Sequence, residues 1–221
     1  MIEFENEMQK EQAIALWQEA FHDTEKYIRF FLNQHGDATV LTKCCDNHLV
    51  SALYLIDGAI RNGSETAKAY YLFAAATFLR ERRQGHMERL LKKAEDYAKS
   101  HQAQYLALVP ASPTLFSYYA KFGFRTAFYA KEADINLSCS SLPPNQASFV
   151  WTQAHLQYIR REAQEFSLPL LEKDGMLFSV HQNTILVPDS KQEHPYGMLL
   201  PLNESARKKA PQNAYIGLTM E

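Results

Sequence analysis

The sequence contains too few cysteines, in too irregular an arrangement, for a disulfide-stabilised protein. Among its 221 residues only Cys44, Cys45 and Cys139 are cysteines, and two of them are adjacent. A disulfide framework needs an even set of spaced cysteines, and a structural zinc site needs cysteines and histidines at fixed short spacings. The eight histidines are scattered, and no two of them lie four residues apart. These absences predict a reducing compartment and no bound metal.

Long apolar runs and an excess of positive charge are also absent. No stretch approaches the roughly 18 apolar residues that a membrane-spanning helix needs, and the first ten residues are acidic and polar, unlike a targeting segment. The formal net charge is -2, with both signs spread along the chain. Such a chain lacks the basic surface to which nucleic acids and anionic membranes bind. We therefore expect a cytoplasmic protein with no nucleic acid and no membrane among its partners.

Apolar residues make up 46% of the chain, which is enough for a substantial core. Helical periodicity predicts helices over residues 11–21 and 24–33. Strand patterns follow at 39–45 and 49–56, and the turn-forming residues 46–48 between them predict a hairpin. The next apolar run, residues 67–77, lacks polar alternation, which is typical of a central strand covered on both faces.

A strand–helix–strand unit follows. Apolar residues from Met87 to Ala98 recur at helical spacing, and residues 105–109 form a short apolar run, so strands 67–77 and 105–109 are expected to be parallel. Ser112 and Pro113 begin another helix, which Gly123 ends, and residues 124–129 are the next strand. The predicted fold class is α/β (α+β): a mixed, mostly antiparallel sheet with flanking helices and a small α+β C-terminal part.

The character of the sequence changes after residue 137. Residues 138–148 are small, polar and proline-containing, which predicts a linker between a domain of residues 1–137 and a small α+β domain of residues 149–221 packed on it. In the second part we expect a helix over 153–166 and strands over 176–180, 184–187, 196–200 and 214–220. Its aromatic residues either form a core or line a cleft: Trp151, Tyr158, Phe178 and Tyr196.

The turn after strand 67–77 carries a chemical pattern. Arg80, Arg82 and Arg83 are clustered there, and Gly85 immediately precedes the predicted helix. Free N–H groups and the positive dipole end at a helix N-terminus suit a phosphate group, and a glycine lets a ligand approach the backbone. From Gly85 alone, a plain tight turn with solvated arginines is the better explanation.

The residues that flank Gly85, and their spacing, favour a phosphate-binding turn over a plain tight turn. Residues Arg82-Arg83-Gln84-Gly85-His86-Met87 resemble the Arg/Gln-x-x-Gly-x-Gly/Ala signature of the GNAT superfamily of acyl-CoA-dependent N-acetyltransferases. The segment from Tyr119 to Phe124 resembles that family's Tyr-x-x-x-Gly-Phe segment, and the order of elements agrees over about residues 1–130. Met87 departs from the signature, which has Gly or Ala there. The C-terminal part is similar to a shortened, degenerate second GNAT-like half.

The resemblance implies a site for acetyl-CoA in a wedge between strands 67–77 and 105–109. Backbone N–H groups of the turn would hold the pyrophosphate, and the preceding strand would hold the pantetheine arm. The implied cofactor-binding residues are Ala75, Ala76, Thr77, Phe78, Arg82, Arg83, Gln84, Gly85, His86 and Met87. Tyr119 matches the family tyrosine that can protonate the departing thiolate, although its apolar helical stripe is equally typical of a core residue.

The reaction that the resemblance implies is direct transfer of an acetyl or short acyl group from coenzyme A to an amine of a small molecule or peptide. A base is needed, yet residues 70–77 contain no acid. Glu19, His22 and Asp23 stay open as the base, as does the terminal carboxylate of Glu221, by analogy with the enhanced-intracellular-survival acetyltransferases. The missing acid also keeps open an inactive acyl-CoA-binding sensor or adaptor, and a purely structural partner protein is a third alternative. A homodimer stays open.

Overall fold

The computed structural model describes residues 2–135, 146–173 and 176–218. The helices are α1 (Glu7–Phe21), α2 (Glu25–Gln34), α3 (His86–Ser100), α4 (Pro113–Ala120), α5 (Gln153–Phe166) and α6 (Glu204–Lys209). The strands are β1 (Ala38–Cys45), β2 (His48–Asn62), β3 (Glu65–Thr77), β4 (Tyr105–Leu108), β5 (Arg125–Asp134), β6 (Ala147–Trp151), β7 (Leu170–Lys173), β8 (Met176–Ser179), β9 (Thr184–Pro188), β10 (Pro195–Pro201) and β11 (Ala214–Tyr215). A short 3₁₀ helix, Leu79–Glu81, follows β3.

One large sheet contains strands from both ends of the chain, in the order β1-β2-β3-β4-β10-β5-β11-β6. The predicted antiparallel hairpin of β1 and β2 is confirmed. The predicted parallel pairing of β3 and β4, which α3 connects, is also confirmed. Residues 58–61 of β2 pair in addition with β6, so the sheet closes on itself. The mixed sheet flanked by helices agrees with the predicted fold class.

Side chains of the central strands alternate between two hydrophobic cores. In β2, Tyr54 and Ile56 belong to a core that also contains residues of α1, α2 and α5. Leu53 and Leu55 belong to the other core, which contains residues of α3 and α4. The side chains of β3 alternate in the same way. Because successive strand residues point to opposite faces, both faces of β2 and β3 are covered, as the apolar run at 67–77 predicts.

Strand β10 lies between β4 and β5 and is antiparallel to both. Opposite β5, Pro195 pairs with Tyr129 and Gly197 pairs with Phe128, so Tyr196 is an extra residue in β10. A bulge of this kind bends the strand and redirects a side chain. A strand from the C-terminal part therefore completes the sheet of the first part. The division into domains of residues 1–137 and 149–221 stays a prediction.

The C-terminal part contains more elements than the sequence patterns indicate. Helix α5 and strands β8, β9 and β10 are confirmed to within a residue, whereas β6, β7 and α6 were not predicted. Residues 147–148 of the predicted linker belong to β6, and residues 138–145 lie outside the described residues. The strand predicted over 214–220 is wrong in length, because among the described residues 214–218 only Ala214 and Tyr215 pair with neighbouring strands. Residues 219–221, including the terminal carboxylate, also lie outside the described residues.

Candidate active site

The two parallel strands β3 and β4 separate before the chain reaches the turn that contains Gly85. Pairing of β3 with β4 extends only from Ala69 opposite Tyr105 to Tyr71 opposite Ala107. Farther along β3, Ala74 has a left-handed φ of 46°, and the register with β2 shifts at this point because β3 contains an extra residue. A cavity of about 490 Å³ opens between the diverging strand ends. The wedge that the resemblance implies is therefore present as a cavity.

This cavity, here called the wedge cavity, has mostly apolar walls. Its lining comes from α1, β3, the residues after β4, α4 and β10: Trp17, Phe21, Asp23, Tyr71, Leu72, Phe73, Ala74, Ala75, Leu108, Val109, Pro110, Ala111, Leu115, Tyr119 and Tyr196. The walls can accommodate a flexible, largely uncharged chain, and Asp23 supplies the one carboxylate of the lining. A volume of this size lies within the usual range for small-molecule sites, about 300–1,000 Å³.

The turn that leads into α3 presents a row of unoccupied backbone donors. Gly85 is the residue before the helix and has a φ of 75°, and Arg83 is also left-handed at 66°. The N–H of Arg89 donates to the Gly85 carbonyl at 3.1 Å. Among the described residues, none of the N–H groups of residues 83–88 has an acceptor. Such a row at a helix N-terminus suits an anionic group, and the pyrophosphate of coenzyme A fits it.

Exposed arginines surround this row of donors, which we call the cradle (residues 83–88). The Arg82 side chain donates from Nε to the Thr77 carbonyl at 3.2 Å, which fixes it against the end of β3. Arg89 donates from Nη1 to the Gln84 carbonyl at 3.3 Å. Arg89 was not among the predicted residues, although its position one turn into the predicted helix was available in the sequence. The charge around the cradle is consistent with a phosphate ligand.

The side chains of His86 and Met87 are buried or half-buried and do not take part in the cradle. Met87 is half-buried and packs against the core that contains α3, so the departure from the GNAT signature leaves its backbone N–H free. His86 is buried, and neither ring nitrogen has a hydrogen-bond partner in the described part of the chain. Its nearest carboxylate oxygen, on Glu81, is 3.9 Å away. These two residues therefore offer the cradle only their N–H groups.

The four predicted strand residues are placed differently from one another. Ala75 lines the wedge cavity. The Ala76 carbonyl accepts a hydrogen bond from Ser51 Oγ at 2.8 Å, and Ser51 Oγ also lies 2.9 Å from Thr77 Oγ1. The Phe78 N–H donates to the Val50 carbonyl at 3.1 Å. Contacts of Ala76, Thr77 and Phe78 with a pantetheine arm stay a prediction.

Tyr119 lies on α4 and lines the wedge cavity. Its ring contacts Phe124 and Tyr118 edge-on, with centroids 5.8 Å and 5.3 Å apart. Burial, and secondarily the neighbouring Tyr118, raises the pKa of Tyr119 to about 12. No hydrogen bond of its hydroxyl is present among the described residues. Tyr119 is thus both a core residue and a protonated hydroxyl at the wall of the cavity.

The three candidate bases at the end of α1 have different surroundings. Glu19 accepts the Leu79 N–H at 2.6 Å and so supports the turn after β3. His22 ends α1 in a left-handed conformation and is exposed. Asp23 accepts the Trp17 indole N–H at 2.7 Å and lines the wedge cavity. Asp23 is therefore the one of the three whose carboxylate is placed at the cavity.

A second cavity of about 690 Å³ adjoins the first, because Asp23 and Tyr196 line both. We call it the side cavity. Its other lining residues come from α2, α5 and the C-terminal strands and loops: His22, Thr24, Tyr27, Glu132, Ile159, Glu162, Ala163, Phe166, Leu168, Pro169, Leu170, Ser179, Val180, His181, Gln182, Thr184, Ile185, Leu186 and Gly217. Glu162 was missed in the sequence, although it continues the buried stripe of α5 at helical spacing.

A buried cluster of His35, Asp37 and His155 joins α2 and β1 to α5. His35 Nε2 lies 3.0 Å from His155 Nδ1, and His35 Nδ1 lies 3.1 Å from Asp37 Oδ1. The latter contact does not form a well-aligned hydrogen bond. The Thr152 hydroxyl also donates to Asp37.

These three side chains offer potential metal-ligand atoms within 4.8 Å of one another, brought together from distant parts of the sequence. The two imidazoles already lie at hydrogen-bond distance from each other, so an ion would have to displace that contact. We therefore describe the cluster as a hydrogen-bonded link between α5 and the first part of the chain. None of its members lines the wedge cavity or the side cavity.

Several solved structures have the same fold. A probable N-acyltransferase from Enterococcus faecalis V583 aligns with a TM-score of 0.65 at 11% identity, over 90% of this chain and 72% of its own. A GCN5-related N-acetyltransferase from Kribbella flavida aligns with a TM-score of 0.60 at 13% identity, over 93% and 73%. Eis1 from Mycobacterium abscessus aligns with a TM-score of 0.56 at 10% identity, over 92% and 60%. At these identities the likeness concerns the fold.

Sequence comparison gives the family. Residues 3–127 match the acetyltransferase (GNAT) domain. The chain belongs to the GNAT acetyltransferase family, whose members transfer acyl groups and use acetyl-CoA. No curated protein matches the chain in sequence. Within the described residues, none of the helices combines the length and the apolar character needed to cross a membrane.

Proposed function

We propose that the protein transfers an acetyl or short acyl group from coenzyme A directly to an amine of a small molecule or peptide. The observation that carries this proposal is the order of the two features along the chain: β3, which lines the wedge cavity, leads into the cradle. Six successive N–H groups, residues 83–88, have no acceptor in the described part of the chain and lie at the start of α3. A cavity of about 490 Å³ opens along the strand that leads into them. A pyrophosphate on the cradle would direct the attached chain into the cavity.

The residues around the wedge cavity supply two proton-transfer groups. In the transfer, the amine nitrogen attacks the thioester carbonyl carbon and the carbon–sulfur bond breaks. Tyr119, which burial keeps protonated, donates its hydroxyl proton toward the departing thiolate. Asp23 accepts the proton that the amine loses, since its carboxylate is the one acidic group in the lining of this cavity. The apolar walls exclude water, which would otherwise compete with the amine.

The alternative function is an acyl-CoA-binding sensor or adaptor without catalysis. Residues 70–77 of β3 carry no carboxylate, and this observation favours the alternative. Release of free thiol from acetyl-CoA, measured with a panel of small amines and peptides, separates the two functions. An enzyme accelerates thiol release with at least one amine, whereas a sensor binds coenzyme A and accelerates none.

Replacement of Gly85 by valine tests the cradle itself. A Cβ at Gly85 meets no atom closer than Arg89 Cζ at 4.0 Å, so the cost comes from the left-handed backbone and not from a clash. A β-branched residue is expected to shift the backbone out of this conformation and turn the N–H groups away. We expect at least tenfold weaker binding of coenzyme A, measured by calorimetry.

Gly63→Val is the matched control, because Gly63 is also left-handed, at 60°, with no atom within 4 Å of an added Cβ. It lies in the turn between β2 and β3. Both variants should lose similar stability, and the control should bind coenzyme A like the unmodified protein. Unchanged coenzyme A binding in folded Gly85→Val would show that the turn is not the cradle.

A further inference from the structure

The side cavity has an acidic lining with little to neutralise it. Asp23, Glu132 and Glu162 supply carboxylates, and none of the described lining residues is a lysine or arginine. Lys26 Nζ lies 5.0 Å from the ring centroid of Phe166, a lining residue, and is paired with Glu165 at 2.6 Å. The cavity therefore has an uncompensated negative charge, which favours a cationic ligand.

Glu162 is the buried acid of this cavity, with 7% of its surface exposed. The Tyr158 hydroxyl donates to Oε1 at 2.5 Å. Burial raises the pKa of the Glu162 carboxyl overall; the neighbouring tyrosine hydroxyls and His35 offset part of this rise, and the charge of Asp23 adds to it. A carboxylate whose charged form is disfavoured by burial and by a second carboxylate gains from a bound cation.

The side cavity and the wedge cavity meet at two residues. Asp23 is placed by the short connection between α1 and α2, and its carboxylate is held by the Trp17 indole. Tyr196 is placed by the bulge in β10. Both residues line both cavities. A molecule in the side cavity can therefore present one end to the wedge cavity at Asp23 while its remainder stays beside Glu162.

We infer that the side cavity is the acceptor pocket and that its acceptor is a small molecule with at least two amino groups joined by an apolar spacer. This inference rests on the proposed function. One amino group loses its proton to Asp23 and is acylated, and the other stays protonated and binds near Glu162. Ile159, Phe166 and Ile185 supply apolar contacts for the spacer.

The same charges disfavour other acceptors. A peptide or amino acid brings a carboxylate of its own, which the acids of the cavity repel. A monoamine of equal length fills the spacer region but leaves Glu162 without a counter-charge. Selectivity should therefore appear as a preference for a diamine over the monoamine of the same carbon number, and it should depend on Glu162.

The kinetic test uses acetyl-CoA with 1,6-diaminohexane and with 1-aminohexane, and measures kcat/KM from thiol release. We expect the diamine to be preferred at least tenfold by the unmodified protein. In Glu162→Gln this preference should fall at least fivefold, with KM for acetyl-CoA unchanged. Glu204→Gln is the matched control, because Glu204 is an exposed acid on α6 that is not among the cavity residues. It should keep the preference.

A binding measurement makes the test independent of catalysis. Calorimetric titration of the protein with 1,6-diaminohexane should show binding that Glu162→Gln weakens at least fivefold and Glu204→Gln does not. Equal binding of the diamine and the monoamine, or equal losses in both variants, would overturn the inference. If the diamine binds as expected but no amine releases thiol, the acceptor pocket is retained and the transfer reaction is what fails. Glu162→Gln is nearly isosteric, and thermal unfolding checks that it is folded.

Discussion

Acidification should weaken the attachment of α5 through His155. This residue is fully buried, and its ring stacks on Trp151 with centroids 4.1 Å apart. Burial, reinforced by the neighbouring His35, lowers the pKa of His155 from an ordinary 6.5 to about 3. A protonated His155 would carry an N–H on both ring nitrogens, and Nε2 has no acceptor among the described residues. The folded protein therefore resists protonation that the unfolded chain accepts.

The size and sign follow from proton linkage. His155 is a basic group whose pKa is lower in the folded state than in the unfolded chain. Its contribution to the free energy of unfolding is therefore complete above pH 6.5 and is lost as the pH falls toward 3. Between pH 7.5 and pH 5 the free energy of unfolding should decrease by about 2 kcal/mol from His155 alone, with a limiting slope of about 1.4 kcal/mol per pH unit. Asp37 acts at lower pH: burial raises its pKa, but its contacts with His35 and Thr152 lower it below 3.8 overall.

Urea unfolding at pH 5 and at pH 7.5 measures this decrease, and His155→Gln isolates it. Glutamine does not titrate, and its amide can still bond to His35. The variant should lose about 2 kcal/mol less on acidification than the unmodified protein, whereas His48→Gln, at an exposed histidine, should behave like the unmodified protein. The raised pKa of Glu162 acts in the opposite direction, but it is common to all three proteins. An identical pH dependence in His155→Gln would refute the reasoning.

Two further predictions concern the residues at the wedge cavity. Tyr119→Phe should lower kcat by about 10- to 100-fold, because a thiolate leaving group needs only modest proton donation, while thermal unfolding stays nearly unchanged because the hydroxyl makes no hydrogen bond in the described part of the chain. A kcat unaltered in Tyr119→Phe would restrict this residue to packing. Glu19→Gln keeps the acceptor for the turn after β3 and should retain kcat, whereas Asp23→Asn should lower kcat at least 100-fold at pH 7. The reverse pattern in thiol release would identify Glu19 as the base.

The elements that the sequence predicts well are those whose apolar pattern is long and local. The α3 stripe and the apolar run of β3 each cover more than ten residues, and both elements end close to the predicted positions. The turn between them carries Gly85, which readily adopts a positive φ, but the cradle itself was expected from the resemblance of Arg82 to Met87 to the GNAT signature. Helix α6 was missed because six residues carry no stripe, although the Asn203 cap, which accepts the Ala206 N–H, was visible in the sequence.

Pairings between distant segments could not be predicted from the sequence in the same way. The pattern of β10 predicts a strand but does not specify its partners, and its place between β4 and β5 depends on pairing across more than sixty residues. The β6 strand was hidden because Ala147 and Ser148 extend the small, polar composition of the segment before them. At Gly58, where β2 meets β6, an added Cβ would lie 2.4 Å from the Phe149 ring. Only the closed sheet explains why a glycine is needed there.

Two residues, Glu162 on α5 and Tyr196 on β10, change the interpretation of the C-terminal part. On α5, residues 155, 158, 159 and 162 form one buried face, so an acid occupies a position where the periodicity calls for an apolar residue. Burying a carboxylate is costly unless it has partners, and the partner here is the Tyr158 hydroxyl, beside an acidic cavity. Tyr196 reaches the same region because β10 is bulged. The cradle lies within residues 3–127, whereas Glu162 and Tyr196 come from the later segment. In the function proposed here, the GNAT domain holds coenzyme A and the C-terminal part selects the amine.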